Sequence, residues 1–190
     1  PIGEVNLDEY EVIDAKGNLV APGLVDIHIH GYLGEDTSDG SAEGIFKMAN
    51  GIMKNGVTAF CPTTMTVSME EIDKALDTVR SLKEESKSWD GAEILGVNLE
   101  GPFINPKKKG AQAETHIKKP DAKFVLDNAD IISLATMAPE MDGGCEAIKE
   151  ITEKLGELLT QRDEINKDLV DLETQKNLKL SDIERMADHA

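Results

Sequence analysis

Two histidines one residue apart, His28 and His30, close a short apolar run, Gly23-Leu24-Val25-Asp26-Ile27-His28-Ile29-His30-Gly31. Side chains alternate faces along a strand, so residues i and i+2 point the same way. The spacing therefore predicts His28 and His30 projecting together, with Val25, Ile27 and Ile29 packing on the opposite face. Two neutral imidazoles at the end of a buried strand make half of a metal site. The alternative is two unrelated histidines in a surface turn. Glu100 is the second feature of this kind. It ends the apolar run Ile94-Leu95-Gly96-Val97-Asn98-Leu99 and stands directly before Gly101-Pro102. A carboxylate there is expected at the mouth of the sheet, where it completes a His, His, Glu ligand set. An ordinary exposed glutamate at a strand end is the alternative.

The elements that must position these residues alternate along the chain. Tyr10 to Ala15 and Leu19-Val20-Ala21 read as strands separated by turn chemistry at Lys16-Gly17-Asn18. Ser41 is placed to cap a helix running to about Asn55, where Asn55-Gly56 stops it. Ile45, Met48, Ala49, Ile52 and Met53 mark its apolar face. Val57 to Cys61 is a buried-type strand stopped by Pro62. Ser68 and Glu71 form a capping box for a helix to about Lys87, with Ile72, Ala75, Leu76, Val79 and Leu82 on its inner face. Ile94 to Leu99 is one strand, Ala122 to Asn128 a short helix, Ile131 to Thr136 a strand, and Gly144 to Leu155 a helix. Strand and helix thus alternate from residue 24 to 155, which implies a parallel sheet with right-handed crossovers. The polar groups fall at the strands' carboxyl ends: His28, His30, Thr63, Thr64, Glu100 and Glu140. Both (β/α) barrels and doubly wound sheets keep their sites there. No Gly-x-Gly-x-x-Gly or Walker loop is present, which favours a barrel-type hydrolase over a nucleotide-binding sheet.

Composition narrows the function classes. Thirty-seven acidic against 20 basic residues give a net charge of −17 over 190 residues. That argues against nucleic acid and anionic membrane surfaces as partners, while a phosphorylated small molecule needs only a local basic pocket. No apolar run is long enough for a transmembrane helix. Pro1-Ile2-Gly3-Glu4 shows neither a basic nor an apolar leader region, and Cys61 and Cys145 lie far apart. A cytoplasmic protein with free thiols is expected; with no initiator Met, residues are expected upstream. Lys107-Lys108-Lys109 reads as a solvated loop before a phosphate site, Cys61 as a buried inert thiol, His116 as a surface histidine, and Trp89-Asp90-Gly91 as a turn. From Glu157 onward there is no Gly, Pro, Cys or aromatic residue. Leu158, Ile165, Leu169 and Leu172 fall near a heptad, with Arg162 on the seam. Asn177-Leu178-Lys179-Leu180 reads as a hinge and Ser181 to Glu184 as a second capping box. A helical hairpin or coiled-coil segment follows, with an amphipathic helix lying on the domain surface preferred.

Three stretches carry a resemblance. Val20-Ala21-Pro22-Gly23 running into His28-Ile29-His30-Gly31 resembles the first-strand signature of the amidohydrolase superfamily. Gly56 to Thr64 and Leu99-Glu100-Gly101-Pro102-Phe103-Ile104-Asn105-Pro106, followed by Lys109-Gly110-Ala111-Gln112, resemble the family of N-acetylglucosamine-6-phosphate deacetylases within it. The resemblance covers roughly residues 10 to 150. It implies a (β/α) barrel beside a small β-sandwich and a divalent metal ion, zinc or iron. It also implies hydrolysis of the acetamide of a sugar phosphate in amino-sugar catabolism, and it allows a homodimer. His28, His30 and Glu100 match metal ligands; Ala111 and Gln112 match a pair contacting substrate. The family's Gly-His pair, second lone histidine and late acid/base aspartate have no counterpart here. The expected architecture is α/β: strands of the small sandwich over residues 1–22, the N-terminal part of a barrel over 23–155, and a helical tail over 156–190. Little or no turnover is expected of these residues alone. The alternatives are a non-catalytic barrel fragment with an interaction helix, and an amidohydrolase acting on a cyclic amide.

Overall fold

The computed structural model describes residues 13–187 and, within them, every side chain except those of 177, 178 and 180–187. Strand β1 (Leu24–Ile29) is followed by a small antiparallel hairpin, β2 (Gly31–Tyr32) and β3 (Glu35–Asp36), and by a 3-10 turn at Thr37–Asp39. Helix α1 (Ala42–Met53) leads to β4 (Val57–Pro62), and α2 (Met69–Lys83) to the short β5 (Glu93–Ile94) and β6 (Val97–Glu100). Helix α3 (Ala122–Asp127), β7 (Ile132–Thr136) and α4 (Gly144–Ala187) complete the order.

Local signals set the helix ends. Ser41 Oγ accepts from Gly44 N at 3.1 Å, and Asp121 Oδ1 from Phe124 N at 3.1 Å. At α2 the capping box is complete: Glu71 N donates to Ser68 Oγ at 3.3 Å and Ser68 N to Glu71 Oε2 at 2.9 Å. These bonds satisfy amide groups that have no partner inside the first turn. Helix α2 ends at Lys83, and Glu85–Lys87 winds on as a 3-10 turn.

All the long strand pairs are parallel. β1 pairs with β4, β4 with β5, and β6 with β7, while a bridge between Thr63 and Asn98 joins the two ladders. The order is an arc, β1 to β4 to β5 and β6 to β7, whose outer strands β1 and β7 do not pair with each other. Helices α1 and α2 bury Ile45, Met48, Ile72, Leu76 and Val79 against Phe60, Ile94, Leu99 and Phe103. At roughly 25 cal/mol per Å² of apolar surface removed from water, this cluster is the main source of stability.

Four sequence expectations are corrected. The single strand over Ile94 to Leu99 is broken. Gly96 sits at φ +141°, and a Cβ there would lie 2.0 Å from Ser133 Oγ. Ile94 consequently pairs back to β4 while Val97 to Glu100 pairs forward to β7. Val25 and Ile27 do not pack: they are 55% and 54% exposed, because no described element covers their face of β1 and only Ile29 reaches the core cluster. Leu19-Val20-Ala21 forms no strand, and Leu19 and Val20 are almost fully exposed. A strand needs a partner ladder, and no described residue supplies one. The strand expected over Tyr10 to Ala15 lies largely outside the described residues, and Ile13 to Ala15 carries none.

The fourth correction is the tail. Helix α4 runs unbroken through Asn177-Leu178-Lys179-Leu180, so there is no hinge and no hairpin. It packs against α3 and buries Gly144 and Ala147, with Ile151 partly covered. Every residue from Thr152 to Lys176 is then exposed, so this part of the helix does not lie on the domain surface. Leu, Glu, Lys and Gln dominate the stretch, and their helix propensity favours continuing the helix over turning it.

Candidate metal centre

β1 ends at Ile29, and His28 and His30 flank that end on one face, as alternation requires. Their ring centroids are 5.0 Å apart and their planes nearly perpendicular, with Nε2 to Nε2 at 3.2 Å. Glu100 is the last residue of β6. Its Oε2 lies 2.8 Å from His28 Nε2 and 3.0 Å from His30 Nε2. Among the described residues this trio is the one group whose ligand atoms converge in this way. The His28 side chain is 51% exposed and that of Glu100 22%, so the trio forms a shallow mouth open on the histidine side.

Backbone geometry turns Glu100 inward. Gly101 follows at φ +70°, and a Cβ at that position would lie 2.0 Å from Thr66 Oγ1, so only glycine fits the turn. Neighbouring groups orient the histidines. His30 Nδ1 is 3.2 Å from the carbonyl oxygen of Thr63, and His28 N donates to Asp26 Oδ1 at 3.0 Å. A carbonyl only accepts, so in the neutral imidazole of His30 Nδ1 carries the proton and Nε2 presents a lone pair. That lone pair faces a carboxylate oxygen that is shut off from water and makes no hydrogen bond of ordinary geometry.

Lone pairs converging at 2.8–3.2 Å repel unless a proton or a cation lies between them. Ligands at about 2.0–2.1 Å from a tetrahedral divalent ion stand roughly 3.3 Å from each other. The spacing and the N, N, O donor set therefore fit a small borderline cation such as zinc or iron(II).

The other expected residues separate from this centre. Gln112 is buried: its Oε1 accepts from Thr66 N at 2.6 Å, and its amide nitrogen faces Met65 Sδ at 3.8 Å. The side chain thus ties the loop after β4 beside the Gly101 turn, while Ala111 is exposed. Glu140 bonds to Asn105 Nδ2 at 2.8 Å, and that bond holds its carboxyl below the usual range; it is not part of the trio. Thr63 and Thr64 are fully buried and bond to neighbouring strands rather than lining an open floor. Cys61 is buried, and desolvation, followed by the charge of Asp26, pushes its thiol up, which suits an inert core thiol. Lys109 Nζ caps the Gln112 carbonyl at 3.1 Å, and Lys107 and Lys108 are exposed. His116 is half-buried outside the trio, and His189 lies outside the described residues. Trp89 bonds Ala92 O through Nε1 at 3.0 Å and meets Phe46 edge-on.

Sequence reasoning passed over Thr63 as an orienting group and Asn98 as a strand tie. A polar residue inside Val97-Asn98-Leu99 was the available signal, since a buried amide in a strand must bond to something. Asn98 Nδ2 donates to Ile27 O at 2.9 Å.

Comparison with known proteins adds the following. A family model described as the Amidohydrolase family matches residues 19–163. N-acetylglucosamine-6-phosphate deacetylase of Bacillus subtilis is 37% identical over 149 residues, covering 76% of this chain and 38% of that protein. The Bos taurus protein of the same name is 36% identical over 148 residues, covering 73% and 36%. Among solved structures, N-acetylglucosamine-6-phosphate deacetylase from Pasteurella multocida superposes with a TM-score of 0.70 at 30% identity, covering 81% of this chain and 40% of that one. The Thermotoga maritima enzyme gives 0.57 at 36% identity, covering 70% and 34%. The chain thus spans little more than a third of the length of the curated relatives it matches.

Proposed function

The chain belongs to the amidohydrolase family, and from that premise we propose that it is the first portion of a metal-dependent deacetylase acting on N-acetylglucosamine 6-phosphate. The observation that carries the reading is the meeting of His28 Nε2, His30 Nε2 and Glu100 Oε2 within 3.2 Å. The names of the relatives supply the substrate. A related structure at 28% identity, from Mycobacterium smegmatis, is described as a complex with N-acetyl-D-glucosamine-6-phosphate.

His28, His30 and Glu100 would hold one divalent ion, zinc or iron. Such an ion would supply Lewis acidity toward the acetamide carbonyl and acidify water. The chain's own residues do the rest. Thr63 fixes the tautomer of His30, Glu100 contributes the negative charge that offsets the ion, and the Gly101 turn sets its direction. Ala111 and Gln112 are proposed as substrate contacts; the Gln112 side-chain amide is engaged with Thr66 and its backbone N and O with Lys109, which leaves the backbone of Ala111 for that role. The overall reaction adds water across the amide, giving glucosamine 6-phosphate and acetate, a step in amino-sugar catabolism. A cytoplasmic location and a closed barrel beside a small sandwich belong to the same reading. No described helix is long and apolar enough to cross a membrane. A homodimer is part of the reading as well, supported by the apolar residues exposed on β1 and α4, and light scattering at high protein concentration tests it.

Metal analysis after zinc loading and desalting is the first test, with close to one ion per chain expected. Glu100→Ala or His30→Ala should weaken binding by at least a hundredfold. No retained metal in the parent chain would remove the reading. Acetate release from N-acetylglucosamine 6-phosphate is expected to be slight for these 190 residues and absent in His28→Ala. Release unchanged by that substitution, or confined to cyclic amides in a substrate panel, would reject the deacetylase assignment.

A further inference from the structure

The three ligands come from two ladders, β1 in one and β6 in the other, and one residue touches both. Thr63 is fully buried, one residue past the end of β4. Its N donates to Ile29 O at 2.9 Å, and its Oγ1 accepts from Ile29 N at 3.0 Å. The same hydroxyl donates to Cys61 O at 3.1 Å. The Thr63 carbonyl receives His30 Nδ1 at 3.2 Å. On its other side Thr63 bridges Asn98, two residues before Glu100. Asn98 in turn reaches across to Ile27 O, and Asn98 O accepts from Thr64 N at 3.1 Å.

Pro62 is the last β4 residue paired with β1, opposite Ile29, and the bond from Thr63 N to Ile29 O closes that ladder. The hydroxyl adds a side-chain bond at that end. It holds Ile29, the residue between the two histidines, and its own carbonyl holds the ring of His30. A rotation of the Thr63 peptide would withdraw the acceptor from His30 Nδ1 and free the ring to turn away from Glu100.

We propose that Thr63 is a positioning residue for the metal centre, and that its hydroxyl, through Ile29 N and Cys61 O, locks the carbonyl that orients His30. The inference rests on the metal reading of His28, His30 and Glu100. The methyl group of Thr63 has no part in it. Valine keeps the shape and removes both hydroxyl bonds. Serine keeps both bonds and removes the methyl.

The test measures Zn²⁺ affinity by competition with a chromophoric chelator, together with the visible spectrum of the Co²⁺-loaded chain. Groups orienting a ligand histidine typically change metal affinity 10- to 100-fold. Thr63→Val should therefore bind about tenfold more weakly and shift the cobalt bands, while Thr63→Ser stays within about twofold of the parent with unchanged bands. Thr63→Val binding like the parent, or Thr63→Ser binding as weakly as the valine variant, would overturn the proposal. The serine comparison decides even if the valine variant does not fold, because a general packing role would penalise loss of the methyl. If the parent chain binds no metal, it is the metal reading that fails instead.

Discussion

The β/α arc and the outer part of α4 dispose of their apolar side chains in opposite ways. In the arc, α1 turns Ile45, Met48, Ala49 and Ile52 onto Phe60 and Ile94, and all are at most 3% exposed. In α4 the same kind of residue at the same kind of spacing stays in water: Leu158 is 43% exposed, Leu169 52% and Leu172 59%. Both segments are helices by local criteria. Only the arc offers a second layer for the stripe to bury against, and burial rather than propensity supplies most helical stability in proteins. The candidate ligand trio sits with the buried region for the same reason. Three ligand atoms held within 3.2 Å of one another require strands that do not move relative to each other.

The contrast has its largest expected consequence in paired truncations. Phe60→Ala should cost about 3–5 kcal/mol of unfolding free energy, the usual range for a fully buried phenylalanine. Leu158→Ala should stay within about 0.5 kcal/mol, as surface substitutions do. Urea unfolding of both variants measures the difference, and equal costs would mean that the outer helix is buried in solution. A smaller effect is expected at the start of α2. Ser68→Ala removes one side of the capping box and should cost about 1 kcal/mol; removing Ser181, inside the continuous α4, should leave the unfolding midpoint where it was. A midpoint lowered as far by the Ser181 change as by Ser68→Ala would restore a helix start there.

The smallest effect concerns pH. Arg80 on α2 donates through Nε to Asp130 at 2.7 Å and through Nη2 to Asn128 at 2.9 Å, tying α2 to the turn before β7. The hydrogen bond from Arg80 holds the Asp130 carboxyl below its ordinary 3.8, and the same bond raises the guanidinium. A lowered carboxyl pKa favours the folded state when the group is ionised. The contribution is complete above the unfolded value of 3.8 and is lost as pH falls through the lower folded value. Asp130 is 57% exposed and Arg80 35%, so solvent screens the pair and the effect is modest. The difference in thermal midpoint between the parent and Asp130→Asn should be constant above about pH 5 and shrink below about pH 4. A difference that grows on acidification would reverse the assignment.

Much of the arc was legible residue by residue. The Ser-x-x-Glu box, the Asn55-Gly56 stop and the spacing of Ile72, Ala75, Leu76 and Val79 describe events within a few residues of each other. So does His-x-His, whose shared face follows from the pleat. Glu100 was legible for a similar reason, since a carboxylate closing an apolar strand has nowhere to go but the mouth. What the sequence could not show are the places where a segment meets something distant. Val25 and Ile27 have the pattern of a packed face, yet no described element covers them. Gly96 breaks a strand because Ser133, 37 positions on, occupies the space of its side chain.

The same division runs through the candidate metal centre. By itself the sequence determined the residue types of the candidate ligands, their strand-end positions and the family they resemble, because chemistry and alternation are local. The tertiary structure decided that Nε2 rather than Nδ1 of His30 meets Glu100, that Thr63 joins the two ladders, and that α4 continues straight through an apparent hinge. Those outcomes depend on a carbonyl, a hydroxyl and a packing surface brought in from elsewhere in the chain, and a hydrogen bond or a buried contact exists only once both of its partners are in place.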